Sequence, residues 1–204
     1  MSSVIKAMPI TCLLLLVLLL AAGAKSTGPA DALRIPNRPA IQLNGIISPG
    51  EWEHAAALRI SVSRGWEVKV LAQHDEQNLY LAFIGLRHGK EERYPEVLID
   101  SANQRALLWN GGEWWLHASY NLCEGHKPNQ YSTCKPSQEG WQATRFPREN
   151  GVSEIAISLT KAGLTRGRSF SIAFDVTDTH KSWSFWPAGA DLQVPMSWGP
   201  ARLE

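Results

Sequence analysis

Apolar and polar residues alternate at a period of two through Glu67-Val-Lys-Val-Leu-Ala-Gln-His74, and again through Asn78-Leu-Tyr-Leu-Ala-Phe-Ile-Gly85. The short polar stretch Asp75-Glu-Gln-Asn78 joins them, which predicts an antiparallel hairpin with one buried face. The same alternation predicts strands over 41–43, 58–62, 95–100, 105–109, 113–120, 140–146, 152–157, 168–176, 183–186 and 201–203. Asn110-Gly-Gly112 reads as a hairpin turn between 105–109 and 113–120. Two breaks in the alternation read as helix. Ser48-Pro-Gly-Glu51 carries a capping serine, a proline at the first helical position and an acid at the third, predicting one or two turns through about Ala57. Trp52 and Ala56, four apart, would then share a face. Ser158 to Gly163 predicts a single turn ended by glycine. Many short strands separated by turn residues make an all-β fold, an antiparallel β-sandwich with one or two helical turns.

The first residues break this pattern. Lys6 precedes a compact apolar run over 13–22, and Ala22-Gly-Ala24 fits the small-residue cleavage rule. The run is short for a bilayer, which takes about 20 residues. The expectation is a signal peptide over 1–24, cleaved after Ala24, and a secreted or periplasmic protein. An irregular segment over 25–39 would follow, containing Ser, Gly and Pro and without periodicity, as a tether or an irregular first edge, and then one sandwich domain over 40–204.

Cleavage would remove Lys6, taking 20 basic residues to 19 against 19 acidic ones. A balanced charge without a Lys/Arg run argues against nucleic-acid partners and, after cleavage, against a membrane partner. Cys12 would leave with the leader, so Cys123 and Cys134 remain as a pair in an exported chain. The expectation is a disulfide closing the polar loop 124–133. A metal site there, with His126 as a further ligand, is the competing reading, but the spacing is not CxxC.

The order of motifs is distinctive: Leu43-Asn-Gly, Glu51-Trp52 and Ala56; then the 68–83 hairpin with Asp75 and Leu79-Tyr80; then Glu96-Val-Leu-Ile-Asp100. Glu154-Ile-Ala-Ile-Ser158, Gly167, Phe174-Asp175, and Pro195-Met-Ser-Trp198-Gly199 with Leu203 complete the series. Taken in this order the chain resembles carbohydrate-binding module family nine and the wider DOMON-like superfamily of immunoglobulin-like sandwiches. The resemblance spans nearly all of residues 25–204. It implies an immunoglobulin-like topology and a sugar clamped between aromatic rings from two loops. The corresponding stretches here read Lys90-Glu-Glu-Arg-Tyr94 and Asp191-Leu-Gln-Val194, so Tyr94 is the aromatic at hand, and Asn44 stands where the family usually has Asp. Some DOMON-like relatives hold a b-type haem between a Met and a His or Lys. Met196 is the one methionine after the leader, with packing beside Trp198 as the plainer reading. Calcium is a further implication of the resemblance, with Asp75, Glu96, Asp100 and Asp175 as oxygen donors. Neither cofactor is expected.

Nine tryptophans are a heavy allotment, and core packing competes with ligand stacking to explain them. Alternation sorts those of 113–120: Trp114, Leu116, Ala118 and Tyr120 share a core-like face, while Glu113, Trp115, His117 and Ser119 share the other. An aromatic ring beside His117 and Glu113 is what a sugar platform needs, a flat face for pyranose C–H groups and polar neighbours for hydroxyls. Trp183 and Trp186 form a second candidate edge, pointing opposite ways along a strand, and Trp109, at a turn, is a third. Trp52, Trp141 and Trp198 read as packing.

Enzymatic chemistry finds little support. Glu91-Glu92 are adjacent and point apart, whereas glycosidases need two facing carboxylates about 5–9.5 Å apart. His54, His74, His88 and His180 show no metal-ligand spacing, and Ser182 and Ser184 lack a nucleophile elbow. The expected function is an exported, non-catalytic module binding a polysaccharide or oligosaccharide. The alternative is a module for an envelope or extracellular protein, with the same aromatics as anchors.

Overall fold

The computed structural model describes residues 31–62, 65–118, 123–127, 130–133, 140–144, 150–178 and 182–204, with the backbone alone over 123–127 and 130–133. The expected leader over 1–24, Ser119, Tyr120, Cys134 and His180 lie outside the described residues.

The alternating segments form two sheets. In chain order the strands are β1 (Leu33–Ile35), β2 (Ala56–Ser61), β3 (Glu67–His74), β4 (Asn78–Ile84), β5 (Arg87–His88), β6 (Glu91–Glu92), β7 (Tyr94–Asp100) and β8 (Glu113–Ala118). They continue as β9 (Cys123–Lys127), β10 (Gln130–Thr133), β11 (Trp141–Ala143), β12 (Val152–Ser158), β13 (Ser169–Thr177), β14 (Trp183–Trp186) and β15 (Gly199–Leu203). The first sheet runs β1-β15-β13-β7-β8-β9-β10, with β14 also paired to β13; the second runs β11-β12-β4-β3-β2. Every pairing in these two sheets is antiparallel except β1 with β15. β5 and β6 make a small separate ribbon.

The inward faces meet in one apolar core that includes Val97, Ile99, Trp114, Leu116, Phe170, Ile172 and Phe174 from the first sheet and Val68, Val70, Leu79, Leu81, Phe83, Ile155 and Ile157 from the second. This is the sandwich that the alternation predicts, because period-two strands can bury only one face against each other. The outer faces are partly covered as well. On the second sheet, Ile41 and Trp52 pack on Leu71, Tyr80, Ala82 and Ala156. On the first, Ala190 and Trp198 pack on Leu98 and Ala173, with Trp109, Trp115, Phe185 and Leu192 around them. Trp52, Trp141 and Trp198 are all buried, as packing residues should be.

Several local expectations differ from the structure. Residues 41–43 form no strand; Ile41 lies over the second sheet from a loop. The turn at Ser48 does not grow into a helix. Glu51 accepts the Ser48 N–H as a capping acid does, but Gly50 adopts a left-handed φ of 81° and Ala56 enters the ladder opposite Ala72. A handful of residues pays the full nucleation cost of a helix, so strand pairing wins. Trp52 and Ala56 accordingly contact different apolar clusters.

Residues 105–109 form no strand either, and β8 pairs with β7 and β9. Asn103 and Arg105 hold positive φ values of 53° and 50°, which breaks extension there. The expected polar loop over 124–133 is the β9–β10 hairpin. Within the expected irregular segment, Leu33–Ile35 forms an edge strand. The helical turn at Ser158 is present as α1 (Leu159–Ala162), capped by the Ser158 side chain on the Lys161 N–H and ended by Gly163 at φ 70°.

Candidate functional site

The outer face of the first sheet gathers the chemistry. Asp175 on β13 lies opposite Glu96 on β7, which lies opposite His117 on β8. One row further, Thr177 stands between Trp183 on β14 and Tyr94 on β7, while Phe185 flanks Asp175. On the other side Trp115 lies across from Leu98. Because side chains alternate, all of these share one face.

Two carboxyl groups form the floor: Glu96 is 2% exposed and Asp175 is 0% exposed. Glu96 is well supplied with donors. The Trp115 indole N–H donates to its Oε2 at 3.0 Å, and His117 Nδ1 lies 2.5 Å from its Oε1. The Ser184 backbone N–H donates to Asp175 Oδ1 at 2.8 Å, while Oδ2 has no donor among the described residues. Burial, reinforced by the neighbouring Glu96 charge, pushes the Asp175 carboxyl up to about 9. Above this floor stand half-buried rings: Tyr94, 6.5 Å from the His117 ring, and Trp115, 6.4 Å from it. Burial, helped by the charge of Glu92, raises the Tyr94 phenol above its ordinary range. Trp183 is the open ring, 48% exposed.

The sequence-predicted residues divide accordingly. Trp115, His117, Tyr94 and Trp183 share this face. Glu113 is directed elsewhere: it is buried and accepts the backbone N–H groups of Asn110, Gly111 and Gly112 at 3.0–3.2 Å, fixing the turn before β8. Trp186 lies on the core side, its ring 5.7 Å from Phe174. Trp109 donates its indole N–H to the Leu192 carbonyl and meets Trp198 edge-on at 5.9 Å, bracing the covering loops together. Cys134 lies outside the described residues, and only the backbone of Cys123 is described, as for His126.

The residues at the centre, Glu96 and Asp175, enter the sequence reading as parts of the motif series and as calcium donors, and not as members of the sugar site. Their signal was a carboxylate inside a strand apolar on both faces: Pro95-Glu-Val-Leu-Ile and Ile172-Ala-Phe-Asp-Val. Such a position buries a titratable group, and buried titratable groups concentrate at sites.

The four oxygen donors named for calcium do not converge. Asp75 is in the second sheet's hairpin, where it accepts the Gln77 and Asn78 N–H groups and the Tyr80 hydroxyl. Asp100 accepts the Arg105 N–H at 2.8 Å. Among the described residues no group of three or more His, Cys, Asp or Glu side chains surrounds a common point. These side chains do not fit a calcium cage. Met196, named for haem, is 43% exposed rather than packed in a gap beside Trp198, and its N–H bonds the Ala106 carbonyl.

Solved structures settle the architecture. A family nine carbohydrate-binding module from Caldicellulosiruptor kristjanssonii in complex with glucose superposes with a TM-score of 0.58 at 16% identity, covering 84% of this chain and 95% of that one. A family nine module from the same organism in complex with cellotriose gives 0.59 at 15% identity, covering 85% and 93%. The fold is that of a family nine carbohydrate-binding module. At such identities the likeness speaks for the fold alone. No family model and no curated protein matches the sequence.

Proposed function

We propose that the protein is an exported, non-catalytic carbohydrate-binding module whose site is the outer face of the first sheet, around Trp183, Tyr94, His117 and Trp115. The observation that carries this reading is the ring of aromatic and imidazole side chains over a hydrogen-bonded carboxylate. Flat rings suit the C–H faces of a pyranose, and polar groups between them suit its hydroxyls. The family nine modules with the same fold are in complex with glucose and cellotriose, which supports a saccharide as the ligand class.

A binding role also agrees with the state of the two carboxyl groups. They are buried side by side as direct cross-strand neighbours, whereas glycoside hydrolysis needs two carboxyl groups flanking the bond about 5–9.5 Å apart. Export rests on the apolar run over 13–22 and the Ala22-Gly-Ala24 site. A Cys123–Cys134 disulfide belongs with it: the β9–β10 register ends with Thr133 opposite Glu124, each next in sequence to a cysteine.

Titration of the mature protein with glucose and with cellotriose, followed by tryptophan fluorescence and calorimetry, tests the reading. Cellotriose should change the emission, and Trp183→Ala should lower its affinity about tenfold, since stacking of an aromatic ring is worth about 0.5–1.5 kcal/mol beyond area. Because Trp183 is solvent-exposed, stability should move by no more than about 0.5 kcal/mol. An unchanged affinity in that variant, or no response to any saccharide, overturns the site.

One observation favours the second reading, a protein partner. Leu107 and Leu108 are 69% and 71% exposed, beside exposed Met196. Exposed apolar clusters mark interaction surfaces. Leu107→Ser with Leu108→Ser would abolish capture of such a partner and leave saccharide titrations unchanged.

A further inference from the structure

The acid pair beneath the candidate site poses a question of its own. Glu96 and Asp175 face each other in register between two central strands, and neither reaches solvent appreciably. Two carboxylates this close cannot both carry charge in a dry setting. A cation could relieve them, yet Arg93, on the neighbouring β7 turn, is committed to the Ser182 carbonyl and the Asp178 carboxylate. Glu96 accepts the Trp115 indole N–H on Oε2, and its Oε1 meets His117 Nδ1, which donates to it in the tautomer with the proton on that nitrogen. Asp175 has one N–H, from Ser184, on Oδ1, and its Oδ2 lacks any donor among the described residues. Electrostatics therefore place the charge on Glu96. The buried, donorless Oδ2 of Asp175 is then the atom that must itself carry hydrogen, with Glu96 as the acceptor.

We propose that Asp175 is the positioning residue of the site: its carboxyl group stays protonated and donates from Oδ2 to Glu96, so that a single carboxylate orients the Trp115 and His117 rings toward a bound saccharide. The role rests on the sugar reading above and deepens it. Asp175 touches no ligand itself and acts through Glu96. The arrangement is a relay of donors: Ser184 N–H to Asp175, Asp175 O–H to Glu96, with Trp115 and His117 held from the opposite side. Removing the proton would set two negative charges against each other at the floor, and the rings would lose their shared anchor.

Among the described residues, other groups facing this pair are few. From β7 they are Glu96 itself and Tyr94; from β8, His117; β14 contributes the uncharged Phe185 and Trp183. Asp100 and Glu113, further along the face, are held by backbone N–H groups, as is loop residue Asp191. Arg105 binds the Met196 carbonyl.

The deciding experiment is the pH profile of cellotriose affinity in wild type and Asp175→Asn. An asparagine still accepts the Ser184 N–H and donates permanently to Glu96, so it copies the protonated acid. Wild-type affinity should hold to about pH 9, then fall toward tenfold per pH unit, the limit for one linked proton. Asp175→Asn should bind as wild type does at pH 7 and lose this alkaline fall, and Asp175→Leu should bind at least about tenfold more weakly throughout. A parallel fall in wild type and Asp175→Asn, as titration of Tyr94 alone would give, overturns the proposal.

A sugar-free readout separates it from the sugar reading. The infrared difference between wild type and Asp175→Asn at pH 7 should contain the C=O stretch of a protonated carboxyl group, vanishing above about pH 9 in the wild type. No such band overturns the proposal even if saccharides bind. The band without saccharide binding at any pH overturns the sugar reading, and with it the positioning role, while leaving the proton on Asp175.

Discussion

Glu113 and Asp175 are both buried acids on the outer face of one sheet, yet their surroundings give them opposite energetic signs. Glu113 collects three backbone N–H groups, so its charge is compensated where it sits. Glu113→Ala leaves those donors without a partner, which should cost about 1–3 kcal/mol in urea unfolding. Its cellotriose affinity should stay near wild type, because the carboxylate points at the turn and not at the rings. Asp175 is the reverse case. Its carboxyl ionises near 3.8 in the unfolded chain and at about 9 when folded. Between those values the unfolded chain holds fewer protons than the folded one, so this residue lowers stability as pH rises through the window. Asp175→Asn removes that term. Its melting temperature relative to wild type should therefore climb from about pH 4 to about pH 9 and then level off, as calorimetry at several pH values would record. A constant offset would contradict the sign.

At the scale of elements, the readable parts are those where pattern and pairing agree. β3, β4 and β12 were legible because each fills a ladder with an apolar inward row. The Trp114/Trp115 division followed from alternation alone: Trp114 is core, and Trp115 is on the outer face with His117. The failures lie where no ladder imposes a period. Residues 41–43 and 48–55 belong to loops from which Ile41, Leu43, Trp52 and Ala55 pack over the second sheet. Within 105–109 Trp109 packs over the first sheet while Leu107 and Leu108 stay exposed. Asp175 was hard to weigh for a different reason. A one-dimensional reading cannot show that it lies across from Glu96, since 79 positions separate them and only the β7–β13 register joins them.

Connections between elements make their own demands, most sharply at Gly140. It sits at φ 76°, and a Cβ there would approach the Lys161 Cβ to 2.4 Å. Gly140→Ala combines left-handed strain with a backbone-proximal clash, so it should lose about 1–3 kcal/mol of stability, read by thermal or urea unfolding. Gly50, with a similar φ of 81° but open space around it, should lose less.

For the whole of the described sandwich, two sheets share one core, and each outer face is partly covered by loops. The expected disulfide would staple the far edge of the larger sheet, at β9 and β10. Reducing it should lower stability by about 3 kcal/mol in the loop-entropy account, and non-reducing mass spectrometry of the protein reports whether it forms. Two free thiols there would remove both the staple and one support for export.

The far side of that sheet is finished differently. β15 lies between β13 and the short parallel β1, the Glu204 N–H reaches the Ile35 carbonyl, and the Glu204 carbonyl meets His74 Nε2 at 2.8 Å. Glu204 thus ties three segments together. Deleting Arg202 to Glu204 would set β1 adrift as well and leave His74 Nε2 without that carbonyl.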